Sequence, residues 1–190
     1  IHRWWFSTSA EAYYIASDIA AQRVQSWGID PDRIHLSGIP VHPKWTAPLA
    51  NRDALLAEWN LPADKQIILL SGGTNFTCGP IVTIARQLVA RCDNCVVVVL
   101  AGRNKKLLSA LATLPESAEK RIVPLGFSDR LPELASLATL MVTKPGGLTT
   151  SECIAKHLPM VFIKPIPGQE GHNAKRIAAA GAGIITTSTR

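Results

Sequence analysis

The feature that most constrains the fold is a set of short, unbroken apolar runs, of which "CVVVVLAG" at residues 95–102 is the clearest. Its valines do not alternate with polar residues, so both faces of the predicted strand must be buried. Similar runs recur, for example "QIILL" at 66–70 and "PMVFI" at 159–163, and segments with helical periodicity separate them. This pattern predicts an α/β fold: a Rossmann-like parallel sheet with helices on both faces.

Three prolines, at positions 40, 43 and 48, mark residues 38–50 as a linker. The sequence is therefore predicted to divide into a segment at 1–37, the linker at 38–50 and an α/β domain at 51–190. The first segment reads as strand, helix and strand, and we expect it to be the tail of a preceding domain. The chain opens on Ile and not on Met, so we interpret it as a piece of a longer protein.

Charge and cysteine usage narrow the classes of partner. The net charge of +6 favours anionic partners, yet the basic residues are scattered, so we do not expect nucleic acid to bind. The apolar runs are too short to span a bilayer. The Cys92-x-x-Cys95 motif has no second pair at zinc spacing, so no metal site is predicted, and four cysteines make no disulfide framework in a chain of this length.

Ligands of open α/β sheets bind beyond the carboxyl ends of the strands. Five predicted strands of this chain end in loops that contain glycine. One such glycine is ordinary turn chemistry, whereas five at one edge predict a lined cleft. The loops are Ser71–Gly73, Gly102–Asn104, Gly126–Phe127, Lys144–Gly147 and Pro165–Glu170.

The segment "KPGGLTT" at residues 144–150 predicts a phosphate site. Gly146 and Gly147 allow the backbone to approach a ligand closely, and Leu148 and Thr149 open a helix whose free N–H groups suit a diphosphate. Glu152 has two interpretations at this point. Its carboxylate can accept both hydroxyls of a ribose, or it can close a capping box with Thr149 and cap its own helix.

Three further segments each have two interpretations, one as a ligand contact and one as a purely structural feature. The loop with Gln169, Glu170, His172 and Asn173 either binds the hydroxyls of a sugar or is a solvated turn. Gly126 and Phe127 either present polar backbone and an apolar ring to a base or end a strand on a core phenylalanine. Asn104 either contacts ligand or caps the next helix. Neither a P-loop nor a G-x-G-x-x-G fingerprint is present.

Two blocks carry a family resemblance: "KPGGLTTSE" at 144–152 and "LPMVFIKPIPGQEGHNA" at 158–174, with "GIPV", "GRN" and "GF" upstream. Together they resemble the diacylglycerol glycosyltransferases, that is, the monogalactosyldiacylglycerol synthases and processive diacylglycerol glucosyltransferases, over nearly the whole chain. The resemblance implies the C-terminal, donor-binding half of a GT-B fold. It also implies inverting transfer of galactose or glucose from a UDP-sugar to diacylglycerol, without metal or cofactor.

The resemblance further implies a role for each matching residue. Gly126 and Phe127 would hold uracil, Glu152 the ribose, and Gly147, Leu148 and Thr149 the diphosphate. Gln169, Glu170 and Asn173 would bind the sugar, and Ser71–Gly73 with Gly79 would form a glycine-rich loop beside the phosphates. "SGGTNFTCGP" departs from the family by having fewer glycines, so the resemblance does not extend a phosphate contact to Asn75–Cys78. The other residues predicted to bind donor substrate are Gly72, Gly73, Gly102, Asn104, Lys144, Gly146 and Gly168.

In this family the acceptor domain is N-terminal and usually supplies the general base. We therefore expect the catalytic base outside this chain and the isolated chain to be inactive. The basic charge predicts peripheral contact with anionic lipid, at the cytoplasmic face of a membrane. Two alternatives stay open: a UDP-N-acetylglucosamine-dependent lipid-linked N-acetylglucosaminyltransferase and a non-catalytic nucleotide-binding module. The sequence decides neither the donor sugar nor the acceptor lipid.

Overall fold

The computed structural model describes residues 2–49, 51–73, 80–163, 165 and 168–186. Gly79 and the segment 75–78, which belong to the predicted glycine-rich loop, lie outside these residues. The chain consists of two compact units, Ile1–Val41 and His42–Arg190. The division between them falls inside the linker predicted at 38–50.

The first unit is a small β-α-β arrangement. Strands β1 (Tyr13–Ile15) and β2 (Ile34–Leu36) pair in parallel, and helix α1 (Asp18–Gln25) connects them. Ser17 caps this helix, because its side chain accepts a hydrogen bond from the Ala20 N–H at 3.3 Å. The predicted order of strand, helix and strand is confirmed for this segment.

The second unit alternates strands and helices as the apolar runs predict. Among the α-helices and strands described in this unit, the sequence pattern did not indicate α5, and a 3-10 helix at Pro43–Trp45 was not indicated either. The elements are α2 (Arg52–Glu58), β3 (Gln66–Ser71), α3 (Ile81–Arg91), β4 (Cys95–Gly102), α4 (Lys105–Ala112), α5 (Pro115–Ala118), β5 (Ile122–Gly126), α6 (Leu131–Leu137), β6 (Leu140–Thr143), α7 (Gly147–Ala155), β7 (Met160–Phe162), α8 (Gln169–Ala179) and β8 (Gly183–Ile185).

The strands of this unit form one six-stranded sheet in the order β5-β4-β3-β6-β7-β8, and every pair is parallel. From β3 the chain winds outward through β4 to β5. It then returns to the other side of β3 and winds outward again through β6, β7 and β8. The reversal lies between β3 and β6, and a crevice opens at such a switch point beyond the carboxyl ends of the two strands.

The central strands are buried on both faces. Residues 95–99 of β4 and 67–70 of β3 are all buried, so the prediction from unalternated apolar runs is confirmed. Each fully buried Val, Ile or Leu side chain contributes about 1.5–3 kcal/mol to the hydrophobic stabilisation. The sheet is therefore a rigid platform for the loops at its carboxyl edge.

The CxxC motif is structural. Cys95 is buried, and its Sγ lies 3.1 Å from the Cys92 carbonyl oxygen to which it donates. Burial, with the hydrogen bond to Cys92, raises the pKa of the Cys95 thiol to about 12, so the thiol stays protonated. Within the described ranges, no three His, Cys, Asp or Glu side chains come together as a metal site. The same ranges contain no helix with the length and apolar character needed to cross a bilayer.

Candidate functional site

The loops that follow five neighbouring strands line up along the carboxyl edge of the sheet. Their order is set by the sheet: β5, β4, β3, β6 and β7. Strands about 4.8 Å apart place the outer two loops roughly 19 Å from each other. The structure thus brings the predicted site residues to one edge, in the order Gly126–Phe127, Gly102–Asn104, Gly72–Gly73, Lys144–Thr149 with Glu152, and Gly168–Asn173.

Helix α7 begins at this edge with a first turn that no side chain caps. Its N-cap is Gly146, which has extended backbone and makes no side-chain cap bond. The hydroxyls of Thr150 and Ser151 donate back to the carbonyl oxygen of Gly147, at 2.9 Å each, and so stay within the helix. The N–H groups of the first turn, at residues 147–149, therefore remain as donors for a ligand at the positive end of the helix dipole.

Glu152 does not cap its own helix. A capping box would need Thr149 at the N-cap, but the helix begins at Gly147 and Glu152 is its sixth residue. The capping interpretation is therefore wrong. The reason is that Gly146 takes the N-cap position, which glycine tolerates almost as well as a residue with a capping side chain.

The Glu152 side chain is half-buried beside an apolar cavity of about 60 Å³ between α6 and α7. Trp45, Leu131 and Cys153 are among the residues that line this cavity. Burial raises the pKa of the Glu152 carboxyl, and no hydrogen bond from another described group opposes this effect. A partly desolvated carboxylate without an internal donor is a strong acceptor for the hydroxyls of a ligand.

Lys144 places a buried ammonium group at the switch point. Its side chain is only 8% exposed, and Nζ lies 3.7 Å from Oε1 of Glu170 in α8. A Cβ atom on Gly73, at the end of β3, would lie 3.5 Å from Cδ of Lys144. Lys144 therefore connects the loop after β3 with the start of α8. The N-termini of α7 and α8 bring the positive ends of two helix dipoles to this part of the edge, where the Glu170 carboxylate balances the Lys144 ammonium.

Helix α8 begins at Gln169. Gln169 and Glu170 are therefore in its first turn, and the interpretation of this segment as a solvated turn is wrong. Gly168 is the N-cap with φ 98°, a conformation that glycine adopts without strain and that gives no side-chain signal in the sequence. Asn173 donates from Nδ2 to the Pro145 carbonyl oxygen at 3.0 Å, which fixes α8 against the loop before α7.

The outer end of the edge carries an exposed aromatic ring. Phe127 is 69% exposed, so the interpretation of a core phenylalanine is wrong. The Arg103 guanidinium lies over its ring, 4.9 Å from the centroid. Asn104 caps α4, because its Oδ1 accepts from the Leu107 N–H at 3.0 Å, so the capping interpretation of Asn104 is confirmed.

Sequence reasoning gave no binding role to two residues of this region. Arg103 was named only within the Gly102–Asn104 loop, although its place directly after a strand end is a usable signal. Trp45 lies in the linker and reaches the cavity beside Glu152 through the tertiary fold alone. Ser71, which was predicted in the loop beside the phosphates, shapes the turn after β3, because its Oγ accepts from the Gly73 N–H at 3.2 Å.

A doubly wound parallel sheet with glycine-containing loops along its carboxyl edge defines a Rossmann-like domain, a class that binds ligands at the switch point of the sheet. The sequence also matches a known protein family. Residues 67–190 match the glycosyltransferase family 28 C-terminal domain. The chain belongs to this family.

The curated relatives confirm the resemblance to diacylglycerol glycosyltransferases. The chain is 34% identical over 185 residues to a processive diacylglycerol beta-glucosyltransferase of Staphylococcus aureus (strain Newman), covering 97% of this chain and 47% of the relative. The chain thus spans about half the length of the curated relatives it matches.

Solved structures confirm the fold. The S. aureus MnaA–UDP co-structure has a TM-score of 0.67 at 16% identity, over 92% of this chain and 46% of that one. The structure of Anabaena HepE in complex with UDP and glucose has a TM-score of 0.58 at 16% identity. The match covers 95% of this chain and 50% of that one. At these identities the likeness shows the fold alone.

Proposed function

We propose that this chain is the donor-binding part of a glycosyltransferase that transfers glucose or galactose from a UDP-sugar to diacylglycerol at a membrane surface. The observation that carries the proposal is the juxtaposition at the switch point. The uncapped first turn of α7, the buried ammonium of Lys144 and the carboxylate of Glu152 meet at one edge of the sheet. Family membership and the named activity of the relatives support the same function.

The order of the loops suggests how the donor lies in the cleft. Uracil would contact Gly126 and Phe127 beyond β5, and the ribose hydroxyls would donate to Glu152. The diphosphate would meet the first turn of α7, with the loop after β3 and Lys144 beside it, and the hexose would reach Gln169 and Glu170 in α8. The span of about 19 Å suits a base, a ribose, a diphosphate and a hexose end to end.

The chemistry that this arrangement supports is stabilisation of the leaving group. Transfer breaks the bond between the anomeric carbon and the diphosphate, and negative charge develops on the departing UDP. The N–H groups of α7, its dipole and the Lys144 ammonium are fixed before the reaction at the place where this charge appears. A fixed donor of this kind lowers the barrier by about 3 kcal/mol. We propose that these groups serve in place of a metal ion.

Inversion at the anomeric carbon requires the acceptor hydroxyl to attack from the face opposite UDP. We propose that the general base which takes the proton of that hydroxyl lies in the acceptor domain, outside this chain, so the isolated chain binds donor without turnover. The net charge of +6 would favour docking on anionic lipid at the cytoplasmic face of a membrane. The relatives' named activity favours glucose over galactose as the transferred sugar.

The test is a calorimetric titration of the chain with UDP, UDP-glucose, UDP-galactose, UDP-N-acetylglucosamine and NAD. Glu152→Ala is compared with Glu119→Ala, which removes an exposed carboxylate at the far end of the domain. We expect UDP compounds to bind, Glu152→Ala to weaken this binding about 10- to 100-fold and Glu119→Ala to preserve it.

The ranking of the sugars then selects the donor. A preference for UDP-N-acetylglucosamine would replace the proposal with the lipid-linked N-acetylglucosaminyltransferase. If a full-length protein that contains this chain bound UDP but transferred no sugar, the chain would be a non-catalytic module. A folded chain that binds no UDP compound would refute the proposed donor site.

A further inference from the structure

The stacked pair of Arg103 and Phe127 has no structural purpose within the domain. Phe127 lies outside the hydrophobic core, and its ring is 69% exposed at the carboxyl end of β5. The Arg103 guanidinium, at the end of β4, covers one side of the ring at 4.9 Å from its centroid. A cation over an exposed ring gains only about 0.5–1 kcal/mol, less than burial of the ring would.

Backbone geometry holds the two residues in register. Gly102 pairs with Gly126 across the two strands, so the residues that follow them emerge side by side. Gly102 has φ 53°, and the Asn104 N–H donates to the Ala101 carbonyl oxygen at 3.0 Å, which closes a tight turn around Arg103. The cap that Asn104 places on α4 fixes the next residue as well. The backbone at Arg103 is therefore fixed before any ligand arrives.

Arg103 also differs in its partners from the nearest arginine beyond Phe127. Arg130 contacts the carboxylates of Glu58 and Glu133. In contrast, no carboxylate in the described part of the chain forms an ion pair with Arg103, so its N–H groups face solvent beside the ring. A guanidinium keeps its charge and is a donor only, with five N–H groups in a planar fork.

We propose that Arg103, whose guanidinium lies over the Phe127 ring, determines which nucleobase the donor cleft accepts. This inference rests on the proposed function, because it concerns the base end of the same donor cleft. A base stacks on an aromatic or guanidinium plane irrespective of its identity, whereas hydrogen bonds to its edge discriminate. Since arginine only donates, it favours a base with carbonyl oxygens at its edge. Uracil presents two carbonyl oxygens, whereas the ring nitrogens N1 and N7 of adenine accept beside an amino group that itself donates and repels a second arginine N–H.

The test is the ratio of the dissociation constants of UDP and ADP, measured by calorimetry on the same chain. We expect Arg103→Ala to weaken UDP binding about tenfold and ADP binding much less, so that the preference for UDP falls. Arg103→Lys, which keeps the charge but not the planar fork, should lose most of the same preference. Lys106→Ala removes an exposed charge from the first turn of α4 and should leave the ratio unchanged.

Glu152→Ala separates this inference from the function on which it rests. Suppose that the wild-type chain binds UDP, that Glu152→Ala weakens this binding, and that Arg103→Ala keeps the ratio of the UDP and ADP dissociation constants. The donor site then stands and the role of Arg103 is refuted. An equal loss of UDP and ADP affinity in Arg103→Ala also refutes it, because charge alone would then explain the effect. A wild-type chain that binds neither nucleotide overturns both. Thermal unfolding of each variant checks that the fold is retained.

Discussion

Replacement of Lys144 by methionine removes the ammonium group from the centre of the cleft and keeps a side chain of similar length. The Lys144 side chain is 8% exposed, and its Nζ lies 3.7 Å from Oε1 of Glu170, whose side chain is 23% exposed. At an effective dielectric constant of about 20, two unit charges at this distance attract by about 4.5 kcal/mol before desolvation is subtracted. Because both groups have lost much of their hydration, we expect Lys144→Met to lower the free energy of unfolding by about 1–3 kcal/mol.

The same change should weaken diphosphate binding selectively. One charge-assisted hydrogen bond is worth about 1.5–3 kcal/mol, so the affinity for UDP should fall roughly 10- to 100-fold. Uridine, which has no diphosphate, should bind the variant as it binds the wild type. The assay is calorimetric titration with UDP and with uridine, alongside urea unfolding monitored by circular dichroism.

Two controls make this result decisive. Lys175→Met removes an exposed lysine from the second turn of α8 and should change neither UDP affinity nor stability by more than about 0.5 kcal/mol. Glu170→Gln combined with Lys144→Met removes both charges of the pair and should recover part of the lost stability without recovering UDP affinity. An unchanged affinity for UDP, or an equal loss for uridine, would refute a diphosphate contact from Lys144.

Three further predictions follow from local geometry. Burial raises the pKa of the Glu152 carboxyl above its ordinary value of 4.5, so ionisation of this group lowers the stability of the fold as pH rises through and above that value. Glu152→Gln should therefore be more stable than wild type at about pH 7 and equal to it near pH ~4. Urea unfolding at both pH values measures the difference. In Gly183→Ala the new Cβ would lie 2.9 Å from the Met160 carbonyl oxygen, and we expect a loss of about 1–3 kcal/mol in the same assay, whereas an unchanged midpoint would show that β8 shifts freely. Asn104→Ala should lower stability by about 1 kcal/mol through loss of the α4 cap, and Asn104→Asp, which keeps the acceptor, should restore it; equal stability of the two variants would contradict the cap.

The architecture could be predicted from the sequence because its main determinant is local. Unalternated runs such as residues 95–99 can be satisfied only by a strand covered on both faces, and the helices between such strands impose the parallel connection. The glycines after the strands then identify the edge at which ligands bind. Helix α5 escaped prediction because four residues carry too little periodicity, and Pro115 at its first position is an ambiguous signal.

The details of the candidate site were harder to predict from the sequence. Helices α7 and α8 both start after glycine N-caps, Gly146 and Gly168, which leave no capping side chain to read. The capping-box spacing between Thr149 and Glu152 was therefore misleading, because Thr149 could act as an N-cap only if the helix began directly after it. The burial of Lys144 and the exposure of Phe127 reverse the usual preferences of these residue types. Such reversals depend on tertiary packing, and a linear pattern does not encode them.

The most direct test of the central claim is a comparison of UDP with its 2′,3′-dideoxy analogue, titrated into the wild-type chain and into Glu152→Ala. If the Glu152 carboxylate accepts the ribose hydroxyls, the wild type should bind UDP about 10- to 100-fold more tightly than the analogue, and the variant should bind both equally. Equal binding of the two nucleotides by the wild type, or a preference for UDP that survives in Glu152→Ala, would contradict the assignment of Glu152 and, with it, the placement of the donor along this edge of the sheet.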